Sequence, residues 1–395
     1  MGMDSREVTP ELVRAVVHLA NEVRSFGRAE TATWRVLGRR VSQSTIRRLV
    51  HQVGGELAEW AQQEQPANDQ QVAIPRLAVV SCDGGRIRTR VPGQGRGVHP
   101  SGENGWRETK NASLERMSLP ENVSGDDPCP DLPTSFRSAE KVANIAEKPV
   151  PNVDRADEDK NTRVVYRGPR RVLRTVVSSM ACSEQFGPMM KREARRRRFF
   201  DAPLRAFLGD GLNWNWSIWK EHFPTFVPVL DFVHAIHYVF AAAMCIGSDE
   251  SEGWTIYKQY VTLCWQGRVD LVIEKLIDAS TARGVDLQGR IADEDPNKPL
   301  ADAVRYLTNN RSRMDYPAYR RAGLPVTSSA MESLIKQINQ RVKGTEMFWD
   351  DPQGAESILH LRAAALSQDD RLDRHLSRRP GWPFLRRSTI PTTAT

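Results

Sequence analysis

PLRAFLGDGLNWNWSIWKEHFPTFVPVLDF, residues 203–232, decides how the chain is to be read. The run PLRAFLGD is apolar and short, and it ends on Asp210; NWNWSIWKEHF has helical character; FVPVLDF is a second apolar run ending on Asp231. Strand, helix and strand in that order describe an α/β unit, in which carboxylates at strand ends face a common crevice. Taken alone, Asp210 is either the apex of an Asp-Gly turn or a carboxylate held at a strand end, and the local string leaves both open.

Working outward, RLAVVSCDGGRIRTRV at 76–91 reads as a strand, a turn at Asp83-Gly84-Gly85, and a second strand whose arginines alternate with Ile87, Thr89 and Val91. Asp83 then ends the first strand. Residues 112–162 are rich in Pro, Asp, Asn and Glu and read as a flexible polar insertion or linker. Order is expected to resume in RVVYRGPRRVLRTVVSSM, with a strand near 172–177, and SEQFGPMMKREARRRRFF is helical, with four consecutive arginines, Arg195, Arg196, Arg197 and Arg198. Residues 234–308 are largely helical. A further amphipathic helix spans 328–343, with Met331, Leu334, Ile335, Ile338 and Val342 as its buried stripe.

The first 70 residues are helical. GRAETATWRVLGRRVSQSTIRRLVHQVG gives two helices separated by GRRVS, with Ser42 or Ser44 capping the second, at about 43–53. This is the outline of a helix-turn-helix that would turn Ser44, Thr45, Arg47 and Arg48 toward a DNA groove; an ordinary hairpin with a solvated basic face has the same outline.

The 395 residues carry a net charge of +7, which favours polyanionic partners and nucleic acid first among them. The five cysteines show no paired spacing, so neither a disulfide framework nor structural zinc is expected. The opening MGMDSREVTPELV lacks a signal-peptide pattern, and no stretch has the roughly 20 apolar residues of a membrane span. A soluble, cytoplasmic protein is expected.

Asp83, Asp210 and Glu332 are hard oxygen ligands far apart in sequence that an open sheet could gather, and such ligands suit Mg²⁺ or Mn²⁺. Each also has a plain structural role: Asp83 in a hairpin turn, Glu332 in a capping box with Ser329, Asp231 as a helix N-cap. Their joint order resembles the DDE transposases of bacterial insertion sequences, of the Kra-type and mutator-like groups. VVSCDGG is similar to the first strand with its aspartate; GDGLNWNWSIWKEHFPTFVPVLDFVHAIHYV to the second aspartate and the D-x-x-H element, here Asp231 and His234; LPVTSSAMESLIKQINQRVKGTEMFW to the helix bearing the last glutamate; and GWRETKNASL to a W-x-E-x-K segment.

The resemblance implies an RNase H-like (retroviral integrase) catalytic core with an all-helical insertion, behind an α-helical N-terminal domain. The domains would be 1–70 for DNA binding, 74–111 and 163–239 for the core, 240–322 for the helical insertion, 323–366 for the last catalytic helix and 367–395 as a basic tail. It implies Asp83, Asp210 and Glu332 as ligands of two Mg²⁺ or Mn²⁺ ions, with Asp231 as the alternative second aspartate or, with His234, as support. Water would cleave the phosphodiester at the element end, and the freed 3′-hydroxyl would attack target DNA. Double-stranded DNA, both terminal inverted repeats and target, and further copies of the chain are the implied partners. Arg195, Arg196, Arg197, Arg198, Arg167, Arg170, Arg171, Lys336, Arg341 and Lys343 would hold phosphates. A catalytically silent DNA-binding protein and an RNase H-like structure-specific nuclease remain the alternatives.

Overall fold

The structure, a computed structural model, describes residues 8–63, 72–89, 105–120, 125–153, 168–289, 291–344, 347–349 and 352–379. Three helices come first, α1 (Pro10–Glu22), α2 (Phe26–Leu37) and α3 (Gln43–Gln62). Thr9, Ser25 and Ser42 cap them in turn, each side chain accepting from an N–H three residues on, and Gly38 ends α2 with φ of 63°. The cap of the third helix is therefore Ser42, and that helix runs nine residues beyond the expected end near 53.

The sheet follows: β1 (Leu77–Arg88), β2 (Trp106–Ser118), β3 (Arg170–Ser179), β4 (Leu204–Gly209) and β5 (Val227–Leu230), in the order β3-β2-β1-β4-β5. The first three strands are antiparallel; β4 and β5 run parallel to β1, with Cys82 opposite Gly209 and Gly209 opposite Leu230. Because β1 is central, LAVVSC is buried on both faces and reads as an uninterrupted apolar run.

Helices cover both faces. α4 (Ala139–Ala146), α5 (Ser183–Arg196), α6 (Asn213–His222) and α7 (Phe232–Ile246) are followed by α8 (Glu250–Trp265), α9 (Val269–Ala282), α10 (Lys298–Asn310), α11 (Tyr316–Arg321), α12 (Ser329–Val342), α13 (Pro352–Leu366) and α14 (Arg371–Ser377). Alternation along β1 assigns the sides. Ser81 reaches Met331 of α12, at 3.8 Å between Oγ and Sδ, while the next residue, Cys82, reaches Asn215 of α6 on the other face. The N-terminal helices lie over the α12 side, and Val16, Ile46 and Val53 share one core with Leu334, Ile338 and Ile358. Gly54 permits this contact, since a Cβ there would stand 2.2 Å from the Ser357 carbonyl oxygen of α13.

Three expectations are corrected. Asp83-Gly84-Gly85 makes no hairpin: β1 passes straight through and pairs with β2 as far as Arg88 opposite Trp106. The glycines serve close packing, a Cβ on Gly85 falling 2.7 Å from Thr109 Oγ1. The 112–162 segment is not a linker throughout, because β2 extends to Ser118 and the described residues 125–153 are packed. Cys129, Leu132, Val142 and Ala146 are buried there, Trp265 Nε1 donates to the Cys129 carbonyl at 2.9 Å, and Arg320 pairs with Asp127 at 2.5 Å. A polar composition conceals these few anchors. Finally, Ser328 rather than Ser329 precedes the first turn of α12, and its hydroxyl goes to Asp231 instead of closing a capping box. None of the described helices is long and apolar enough to cross a membrane, and the five cysteines are free.

Candidate active site

The parallel pair Cys82–Gly209 sets the site, because the next residues along the two strands are Asp83 and Asp210. Their carboxyls are close enough that the charge of Asp210 acts on Asp83. Asp83 lies on the face that α12 covers, two positions beyond Ser81. Its Oδ1 accepts from the Gly84 N–H at 2.6 Å.

Asp210 begins the turn into α6 and is also fixed at the strand end, so the two readings of its Asp-Gly string coexist. Its Oδ1 accepts from the Leu212 N–H at 2.8 Å and from the Asn215 side-chain amide. Its carbonyl accepts from the Tyr306 hydroxyl at 2.6 Å, and Tyr306 stacks on Tyr238 with ring centres 3.7 Å apart. Gly211 sits at φ of 98° directly against that ring, a conformation and a clearance that a side chain would disturb.

Burial pushes the Asp83 carboxyl up, the charge of Asp210 adds to the rise, and the pKa stands at about 7 although His234 works against it. Burial also raises Asp210, against the pull of the Leu212 N–H and of His234. Two half-buried carboxylates acting on each other in this way favour a proton or a cation beside them. A divalent cation with oxygen ligands fits that preference.

Asp231 is placed differently. It is 1% exposed, caps α7 through the Val233 N–H at 3.1 Å, and accepts from both the N–H and the hydroxyl of Ser328. His234 Nε2 stands 3.8 Å from it, one turn along α7. Glu332 is half-buried in the first turn of α12, next to the Met331 that touches Ser81, and among the described residues it makes no hydrogen bond or ion pair. No three carboxylate, histidine or cysteine side chains among the described residues stand as a metal-holding group. The structure places Asp83 and Asp210 side by side, with Asp231 and His234 near enough to act on their charge, and leaves Glu332 on α12 outside any such group among the described residues.

The cations expected to hold phosphate divide. Arg195, Lys336, Lys343 and Arg47 are exposed, as is Ser44; Arg48 is half-buried, and Thr45 is engaged with the Ser42 hydroxyl at 3.0 Å. Arg196, Arg197 and Arg198 each already have partners within the chain. Arg196 donates to the carbonyls of Trp60, Ala61 and Gln63 and lies over the Trp60 ring; Arg197 pairs with Glu193 and Asp369; Arg198 pairs with Asp201 at 2.9 Å. Arg341 is 2% exposed and donates to the Ala20 carbonyl at 2.8 Å, tying α12 to α1. Charge density in sequence overstated these residues because their acidic and carbonyl partners are mostly distant along the chain. Arg167 and the tail beyond Arg379 lie outside the described residues.

Sequence reasoning passes over Asn215 and Tyr306, the two side chains that hold Asp210 in place. Asn215 also accepts from the Cys82 thiol at 3.3 Å, so it links β1 to the end of β4. The W-x-E-x-K residues are ordered beside the site: Lys110 pairs with Glu108 at 2.8 Å and lies over the Trp214 ring, one strand from Gly84. Trp254 and Trp265 are core residues, as their apolar helical setting implies. No protein-family model matches the chain, and no curated protein is detectably similar to it.

Proposed function

We propose that the chain is a DDE-type transposase with an RNase H-like core, cleaving DNA at the ends of an insertion element and joining those ends to target DNA in the cytoplasm. The observation that carries this reading is the pair Asp83, within β1, and Asp210, just past the end of the adjacent parallel β4, both half-buried and both raised in pKa. The mixed sheet, three antiparallel strands continued by two parallel ones, supports an RNase H-like core, and so does a long helix lying along β1 with Glu332 in its first turn. Paired carboxylates of this kind suit phosphodiester chemistry assisted by hard divalent ions.

Asp83 and Asp210 would hold Mg²⁺ or Mn²⁺, with Glu332 approaching from α12. When bound, such ions supply the positive charge that offsets negative charge building on the phosphodiester. Asn215, the Leu212 N–H and Tyr306 hold Asp210, and the Gly84 N–H holds Asp83, so neither carboxylate has to be ordered during reaction. Asp231 has both oxygens engaged and serves as a positioning residue, fixing the start of α12 relative to β5. His234, beside it, moderates the charge of the carboxylate pair. On this reading Asp210, not Asp231, is the second carboxylate of the site.

The test is cleavage, with Mg²⁺ or Mn²⁺, of DNA carrying the sequences that flank the coding region. Asp83→Asn, Asp210→Asn and Glu332→Gln are expected to abolish cleavage while DNA binding persists. Asp231→Asn is expected to retain activity, lowered roughly 10- to 100-fold as for other supporting residues. An inactive wild type that still binds DNA would leave a silent DNA-binding protein; an active Asp210→Asn with an inactive Asp231→Asn would move the second carboxylate to Asp231.

A further inference from the structure

A cavity of about 530 Å³ opens away from the carboxylates, between the start of α2, the first turns of α3 and the end of α12. Arg28, Arg47 and Lys343 stand on its wall with Arg24, and no carboxylate is among the described residues that line it. Its apolar surfaces are Met347 and three aromatic rings, Phe26, Phe348 and Trp349. Arg341 forms part of the wall between Phe26 and Trp349, its guanidinium carbon 5.0 and 5.7 Å from their ring centres. Although 2% exposed, Arg341 has an Nη2 with no hydrogen-bond partner among the described residues. The Arg341 guanidinium is a fixed positive charge in the wall, which favours an anion in the cavity.

We propose that this cavity seats one unstacked nucleotide of a bound DNA strand, its phosphate among Arg28, Arg47 and Lys343 and its base against Phe26 and Phe348. The proposal rests on the reading of DNA as substrate and adds a second contact away from the carboxylates. The volume lies in the range of ligand cavities, and cations alternating with aromatic rings are what single-strand sites use. A strand, rather than a free nucleotide, is indicated by what surrounds the opening. Residues 24–48 carry seven arginines against the single acid Glu30, and Arg35, Arg39 and Arg40 of that stretch are exposed. On the other side Arg88 and Lys343 lie over the Trp106 ring at 4.4 and 5.7 Å. Positive charge therefore runs out of the cavity in two directions, as a continuous polyanion requires.

The experiment measures fluorescence anisotropy of a labelled single strand of about 20 nucleotides and of the same sequence as duplex, in EDTA across a salt series. EDTA separates this result from cleavage, so the cavity can fail while the carboxylate site stands, and the reverse. Phe348→Leu, which keeps the apolar bulk, is expected to weaken single-strand binding roughly tenfold with duplex binding and melting temperature unchanged. The double variant Arg47→Ala/Lys343→Ala should lower the slope of log affinity against log salt by about 1.4 for the single strand. Equal loss on both DNA forms, or no loss, would overturn the proposal. Full displacement of the strand by millimolar AMP would also overturn it, in favour of a free-nucleotide site.

Discussion

Ser328 donates both its N–H, at 3.2 Å, and its hydroxyl to the carboxylate of Asp231. The same carboxylate caps α7 through Val233, and the Phe232 N–H donates to the Val326 carbonyl at 3.0 Å, so the end of β5 and the approach to α12 are fastened at two neighbouring points. Asp231 is thereby a buried side chain with both oxygens met by donors. Ser328→Ala is expected to cost about 1–3 kcal/mol by leaving one of those oxygens without its hydroxyl. A chemical denaturation curve with the midpoint lowered and the slope unchanged is the expected result; an unchanged midpoint would remove the fastening role from Ser328.

The carboxylate pair behaves in the opposite sense. The folded pKa of Asp83, about 7, lies above its unfolded value, so between the ordinary carboxylate range and neutrality the folded chain binds more protons than the unfolded one. Its contribution is therefore favourable at low pH and is lost as pH rises through about 7. Asp83→Asn should raise the melting temperature in EDTA more at about pH 8 than at about pH 5. Millimolar Mg²⁺ should raise the wild-type value at the higher pH and leave the variant unmoved. A variant that melts below wild type at both pH values would show that the pair does not repel.

How much of this was legible in the residues depends on how local each cause is. The strand, helix and strand around Asp210 and Asp231 follow from two short apolar runs with a carboxylate after each, and the structure keeps both positions. The stripe Met331, Leu334, Ile338 and Val342 is buried as its spacing demands, with Ile335 half-buried. Asp83-Gly84-Gly85 is a strong turn string, yet twelve residues of β2 pair with β1 and tertiary pairing overrides local preference. Asn215 and Tyr306 carry no signal in sequence, because what they touch is a main-chain or carboxyl atom brought near by folding. The arginine run misleads for the same reason.

Glu193 tests that last point. Burial would push its carboxyl up, but Arg371, Arg197 and Arg196 outweigh burial and hold it far below the usual carboxylate range. Its folded pKa is depressed, so the stability it contributes is present above the ordinary carboxylate range and lost as pH falls below it. Glu193→Gln should destabilise by up to about 3–5 kcal/mol at neutral pH, since it leaves buried Arg371 and Arg197 with only Asp369 to pair with among the described carboxylates. Arg197→Ala should likewise lower the melting temperature and leave the salt dependence of DNA binding as it was, whereas a phosphate-binding Arg197 would lower the salt slope by nearly one unit.

Two adjacent glycines of α3 separate helix propensity from packing. A Cβ on Gly55 meets nothing within 4 Å, and Ala there should stabilise by up to about 1 kcal/mol through helix propensity alone. A Cβ on Gly54 would stand 2.2 Å from the Ser357 carbonyl oxygen and 2.7 Å from its carbon, both backbone atoms that cannot rotate away. Gly54→Ala must therefore separate α3 from α13, at a cost of about 1–3 kcal/mol beyond the propensity gain. Because α13 packs on β3, the shift should also loosen the sheet, seen as faster amide exchange in 170–179 for Gly54→Ala and not for Gly55→Ala. Equal exchange in the two variants would mean that the N-terminal helices rest on the sheet without holding it.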